Sequence, residues 1–154
     1  METTRPALVD DRAACVALLT HTLADAAAQR GGAMLVGGIT PDELLTRWLH
    51  PDPSEAILYV GEFHHAVVGL AAATTFTRRG TTVRSGRIEC CYVEEGARGV
   101  GVGTALMESV VAWCTGQGCR DIDALALPGD RHSKQRLEAA RFTARLLVLN
   151  RPLN

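Results

Sequence analysis

Val93-Glu94-Glu95-Gly96-Ala97-Arg98-Gly99-Val100-Gly101-Val102-Gly103-Thr104 is the stretch on which the reading of this 154-residue chain turns. It follows a strand-like run, Arg87 to Val93, and leads into a helical run from about Gly101 to Gly116. In that run Val102, Leu106, Val110 and Trp113 keep the 3.6-residue period of one apolar face. Glycines at 99, 101 and 103 let the main chain approach a ligand with no Cβ in the way. The first turn of the helix brings free N–H groups and the positive end of its dipole. Such a place suits a phosphate, and Arg98 adds a full positive charge beside it. Two other phosphate motifs fail here. The Walker loop needs Gly-Lys-Ser/Thr after its four-residue gap, but Gly101 is followed by Val102. The dinucleotide fingerprint begun at Gly99 needs glycine where Thr104 stands. The alternative is structural, with the glycines serving only a tight strand-to-helix turn.

Upstream, an extended lead-in gives way to a helix. Asp10 or Asp11 can cap it, Val16, Leu19 and Leu23 repeat at helical spacing, and Gly31-Gly32 stops it. Thr40-Pro41-Asp42-Glu43 opens a second helix, with a cap residue, a proline in the first turn and a glutamate three places on. Leu44, Leu45, Trp48 and Leu49 form its apolar side, and Pro51 and Pro53 end it. Ala56–Val60 and Val67–Ala71 read as strands joined through Glu62-Phe63-His64-His65. Beyond the glycine-rich turn come a strand, Asp121 to Leu127, a short helix, Arg131 to Arg141, and a last strand, Phe142 to Leu149. Hairpins first and a β-α-β crossover later predict an α/β (α+β) fold, a mixed sheet with helices on its faces. No linker divides the chain, so residues 1–154 are expected to form one domain.

Composition narrows the function. A net charge of −1 argues against nucleic acid or an acidic membrane as the main partner. No apolar run reaches the ~18 residues of a bilayer span, and Met1–Pro6 lacks the build of a signal peptide, so a cytoplasmic location is expected. Cys15, Cys90, Cys91, Cys114 and Cys119 are odd in number and include no C-x-x-C pair, which suggests neither zinc nor disulfides but buried small side chains. Two adjacent histidines, His64 and His65, suit a solvated turn better than a metal, and no metal site is expected.

Arg98-x-x-Gly101-x-Gly103 resembles the R/Q-x-x-G-x-G/A motif of the GNAT superfamily of N-acetyltransferases. Tyr92-Val93 before it and Thr104-Ala105-Leu106-Met107 after it resemble that family's flanks, and the order of elements is similar along essentially the whole chain. Phe142 falls where the family often has Gly-Phe, although Arg141 replaces the glycine.

The resemblance implies a mostly antiparallel twisted sheet with helices on both faces and two splayed parallel central strands, here those ending near Val93 and running from Asp121 to Leu127. It implies acetyl-CoA as co-substrate and no metal. The diphosphate would sit on the amides of Arg98, Gly99, Val100, Gly101, Val102, Gly103 and Thr104, and the pantetheine beside Tyr92 and Val93. Asp130 and Ser133 would stand near the cofactor. Glu89, on the same strand, is the candidate base, and strict alternation would place Arg87, Glu89, Cys91 and Val93 on one face. The family's acid is a tyrosine on the last helix, but that place holds Leu137; Tyr92 could substitute only if a bulge turned it, and His132 and Ser133 are the other polar candidates. The implied activity is transfer of an acetyl or short acyl group to a primary amine of a small molecule or protein, by direct attack on the thioester. A non-catalytic acyl-CoA-binding or regulatory module is the alternative, and a nucleotide-binding domain of another kind is a third. Relatives commonly form homodimers. The glycine-rich stretch from Gln29 to Pro41 borders the acceptor side in relatives, and the arginines at 78, 79, 84 and 87 form a basic patch that is either a solvated face or a site for an acidic acceptor.

Overall fold

The computed structural model describes residues 1–49 and 52–153. The lead-in is a strand, β1 (Glu2–Pro6), followed by α1 (Arg12–Ala28), a short α2 (Gly32–Val36) and α3 (Pro41–Trp48). Then come β2 (Ala56–Phe63), β3 (Ala66–Thr77), β4 (Arg84–Val93), α4 (Val102–Gly116), β5 (Ile122–Ala124) and α5 (Arg131–Ala139). The five strands form one sheet in chain order, antiparallel from β1 to β4, with β5 parallel to β4. This is the mixed sheet with helices that the sequence predicts.

Local chemistry explains most boundaries. Thr40 and Glu43 cap α3 reciprocally: Thr40 Oγ1 accepts from the Glu43 N–H, and Glu43 Oε2 accepts from the Thr40 N–H. Pro51, expected to help end this helix, lies outside the described residues. His64 and His65 both take positive φ in the two-residue turn between β2 and β3, a conformation matched to the twist of a hairpin. Asp11 precedes α1 but does not cap it with its side chain. Its carboxylate instead receives two hydrogen bonds from Arg5 of β1 and one from the Leu8 N–H.

Apolar side chains on opposite faces of the sheet build two cores. On one face Val68, Ala71, Ala73, Ile88 and Val93 meet Val102, Leu106, Met107, Val110 and Cys114. On the other Leu58, Val60, Leu70 and Ala72 meet Cys15, Leu18 and Leu19 of α1 and Leu44, Leu45 and Trp48 of α3. Small residues on the sheet let α4 lie close: a Cβ on Gly61 would stand 2.5 Å from Val102 Cγ1. This contact fixes where the first turn of α4 lies above the sheet.

The carboxy-terminal expectation is corrected. Residues 142–149 form no strand, and β5 covers three residues rather than Asp121 to Leu127. Leu146, Leu147, Val148 and Leu149 are 83–91% exposed. Apolar and β-branched residues give a segment strand propensity, but a strand also needs a partner for its main-chain groups. None lies against this segment among the described residues, so the parallel pair β4–β5 stands at one end of the sheet rather than at its centre. Arg141, in the place of the family's glycine, takes φ of 68° and turns the chain so that Phe142 packs on the α4-side core.

Arg5 ties β1 to the start of α1 by bridging Asp11 and Glu62. Hydrogen bonds from Arg5, opposed by burial and helped by the Leu8 N–H, hold the Asp11 carboxyl below its ordinary range. A depressed carboxyl stabilises the fold above its unfolded pKa and loses that contribution as pH falls through the folded value. Asp11→Asn should therefore cost about 2 kcal/mol at neutral pH. The deficit should shrink below pH ~4, in urea unfolding of both proteins across pH.

Candidate functional site

The site begins with a fault in the sheet. β4 pairs with β5 only through Gly86–Ile122, Arg87–Asp123 and Ile88–Ala124. One residue further on, β4 carries a bulge: Ala72 of β3 faces Cys90 and Ala73 faces Ile88, leaving Glu89 as the extra residue. Beyond it β4 runs to Val93 still paired to β3, while the chain after Ala124 leaves the sheet. Two adjacent parallel strands thus part, as the resemblance implies.

The bulge overturns strict alternation. Cys91 and Val93 pack toward α4 together with Ile88, whereas Cys90 and Tyr92 belong to the α1–α3 side. Glu89 accepts a 2.6 Å hydrogen bond from Thr74 Oγ1, and Thr74 is the register partner of Arg87. Glu89 is therefore not on a common face with Cys91 and Val93. The extra residue turns Tyr92 to the α1–α3 side of β4.

Parting the strands exposes main-chain groups that a neighbour would otherwise satisfy. Two arginines take them: Arg98 Nε donates to the Val93 carbonyl at 3.0 Å, and Arg136 Nη2 donates to the Cys91 carbonyl at 3.2 Å. Arg136, on α5, has no signal in the sequence, since its role depends on where α5 is laid. Arg98 also stands over the Tyr92 ring, 5.8 Å from its centre. Burial, with the negative charge of Asp25 behind it, pushes the Tyr92 phenol up and keeps it protonated.

Next to the gap is the glycine-rich turn. Gly99 and Gly101 take φ of 82° and 95°, the left-handed region in which a side chain is strained. A Cβ on Gly99 would meet nothing within 4 Å, whereas one on Gly101 would meet Glu2 Oε1 at 3.3 Å. Gly101 thus serves backbone conformation more than close approach. Gly103 lies against Arg136, whose Nη1 would be 3.2 Å from its Cβ. Val102 is buried in the α4-side core, while Val100 and Thr104 are exposed. No side chain caps the amino end of α4, and its first turn holds no acidic residue. The main-chain donors there are left for an outside acceptor.

Two clefts flank the parted strands. One, of about 400 Å³, is lined by Tyr92, Val93, Arg98, Asp130, His132 and Ser133 among others, and so collects most of the expected cofactor residues outside the turn itself. Asp130 caps α5 by accepting from the Ser133 N–H at 2.9 Å. Burial would raise its carboxyl, but the hydrogen bonds from Ser133 outweigh this and hold it below the ordinary range. The second cleft, of about 320 Å³, lies between the sheet and α1–α3 and holds Glu89 and Leu137. Both clefts share Cys91, Ser133 and Arg136, so they adjoin at the gap. Burial pushes the Cys90 and Cys91 thiols up, which keeps them protonated and poor nucleophiles.

Other candidates resolve into structure. Arg78 pairs with Asp121 and Asp123, Arg84 donates to the Ser54 carbonyl, and Arg87 stacks over Phe76. Most of the basic patch is thus spent on internal contacts. His64 and His65 stay in their exposed turn. Among the described residues there is no cluster of three or more metal-ligating side chains, and no helix is long and apolar enough to cross a membrane.

A mixed sheet that parts beside an uncapped helix start defines a fold class that comparison with known proteins makes specific. Residues 33–140 match the sequence profile of the acetyltransferase (GNAT) family, and the chain belongs to that family. No curated protein matches it significantly by sequence. Solved structures with the same fold include a ribosomal-protein-alanine N-acetyltransferase from Brucella melitensis biovar Abortus 2308, at 15% identity and TM-score 0.73, covering 100% of both chains. A predicted acetyltransferase from Clostridium acetobutylicum, solved with acetyl-CoA, is similar at 21% identity and TM-score 0.74, covering 97% of this chain and 96% of that one. Glucosamine-6-phosphate N-acetyltransferase from Arabidopsis thaliana is similar at 14% identity and TM-score 0.71, covering 100% and 99%.

The residues present fit the coenzyme that the family implies. The uncapped α4 start, the open space beside Gly99 and the Arg98 guanidinium suit a diphosphate, and the exposed edge of β4 suits an amide-bearing arm. Gly101→Ala should strain the turn by roughly 1–2 kcal/mol and press on Glu2. We expect coenzyme A affinity, measured by calorimetry, to fall at least about tenfold while the far-ultraviolet spectrum stays native. Unchanged affinity would contradict a role for this turn.

Proposed function

We propose that this chain transfers an acetyl group from acetyl-CoA to a primary amine by direct attack. The observation that carries the reading is the joining of two clefts at one gap, with Tyr92 and Arg98 lining one and Glu89 the other, and the uncapped α4 start following Arg98 in the chain. Main-chain amides from Gly99 to Thr104, with Arg98, hold the diphosphate, and the edge of β4 at Cys91 and Val93 orients the arm. Arg136 must release the Cys91 carbonyl for that edge to be used in full. Acetyl-CoA supplies an acyl thioester: a carbon–nitrogen bond forms, the carbon–sulfur bond breaks, and ammonium plus thioester become amide, thiol and one proton.

An amine of ordinary pKa, ~10, arrives protonated at neutral pH and cannot attack in that form. Glu89 lines the acceptor cleft and is held by Thr74, so its carboxylate is placed to take the ammonium proton directly or through a water. The protonated Tyr92 phenol, turned by the bulge, lines the coenzyme-side cleft and is the candidate acid for the leaving thiolate. The protonated cysteines favour direct transfer over an acyl-cysteine route. Leu137, where a tyrosine acid is expected, supports the second reading: a module that binds acyl-CoA without turning it over. Coenzyme binding by calorimetry beside acetyl-CoA consumption over a broad amine panel separates the two. Binding with no turnover would favour the module.

Glu89→Gln should lower kcat/KM about 10²-fold or more at pH 7. The deficit should narrow as pH approaches the amine's own pKa, because the substrate then arrives deprotonated. A deficit constant across pH would reduce Glu89 to the partner of Thr74.

A further inference from the structure

We propose that the acceptor is a monoamine with an apolar body, an aryl-alkyl or alkyl amine, seated in the cleft between the sheet and α1–α3. This deepens the acyl-transfer reading and rests on it. The cleft holds about 320 Å³, at the small end of the ~300–1,000 Å³ typical of ligand pockets. Its walls are mainly hydrocarbon: Leu19 and Leu23 from α1, Val36 from α2, Ile39, and Leu44 and Trp48 from α3. Met107 and Leu137 add to them from the far side.

Charge on the lining is sparse and uneven. Glu89 is the one carboxylate, while Arg47 and Arg136 are the cations. A polyamine or an aminoglycoside brings several ammonium groups and would meet two guanidinium groups for a single acid. Like charges that lose water together repel. An amino sugar would leave most of its hydroxyls facing hydrocarbon, with Thr22 and Ser133 as the hydroxyl side chains in reach. An amine with one positive charge and an apolar remainder satisfies both conditions. Its nitrogen meets Glu89, and its body displaces water from the leucines and Trp48.

Leu137 takes on a second meaning here. The place expected to carry a polar acid instead lengthens the apolar wall next to the gap. Apolar contact at that point draws the acceptor toward the exposed edge of β4.

A homologous series tests this. The n-alkylamines from ethylamine to hexylamine vary length at nearly constant basicity; 2-phenylethylamine, ethanolamine, glucosamine and spermidine are compared with them on rates corrected for the fraction of free amine. With acetyl-CoA saturating, kcat/KM should rise about fourfold per added methylene until the cleft is full. The same series should bind the coenzyme A complex with parallel gains, read by tryptophan fluorescence, because Trp48 is one of only two tryptophans and lines the cleft. A flat series, or preference for spermidine, ethanolamine or glucosamine, overturns the apolar assignment while leaving acyl transfer intact. Should no amine turn over, the acyl-transfer reading fails. The binding series then still decides whether the cleft selects apolar amines, and no gain with chain length overturns the proposal.

Discussion

The geometry of the candidate site depends on a parallel strand pair that parts after three residue pairs. One extra residue, Glu89, is inserted in β4 directly after the last contact with β5. The main-chain groups beyond it lose a neighbour, and a buried carbonyl or amide without a partner is costly. Arg98 and Arg136 supply two of the missing donors from outside the sheet. The same edge that needs them is the edge along which an amide-bearing ligand can lie. A defect that would destabilise an ordinary sheet here leaves an open edge beside a cleft, and it also re-aims the flanking side chains.

Packing makes that edge useful. α4 sits close to the sheet because Gly61 has no side chain, and its start is thereby held beside the end of β4. The turn between them needs positive φ at Gly99 and Gly101, so chain direction, helix start and donor orientation are set together. On the opposite face, α1 and α3 pack on Leu58, Val60 and Leu70 and leave a hydrocarbon-walled cleft that opens at the same gap. Glu89 reaches that cleft only because the bulge removes it from the face shared by Cys91 and Val93. One backbone irregularity thus serves both sides of the gap.

Local signals in the sequence were strong wherever the chemistry is local. The Thr40–Glu43 cap, the period of α4 and the run from Arg98 to Gly103 were readable because each is set by neighbours a few residues apart. The bulge was not readable, since alternation through Glu89, Cys91 and Val93 looks regular until β3 is laid alongside. Arg136 carries no signal for a similar reason: it is an unremarkable helix residue until α5 is placed across the gap. The segment from Phe142 to Leu149 shows the converse, strand propensity with no strand beside it. At Gly101 the sequence suggests close approach to a ligand, whereas the structure shows a left-handed backbone conformation as the main demand on that position.

In the proposed reaction the main chain around the parted strand and the start of α4 receives the coenzyme. Titrating ¹⁵N-labelled protein with coenzyme A and following its amide resonances tests this most directly. The largest shifts should fall at Cys91, Val93 and the amides from Gly99 to Thr104. Saturable binding that leaves those amides unmoved, with shifts confined to other surfaces, would contradict it.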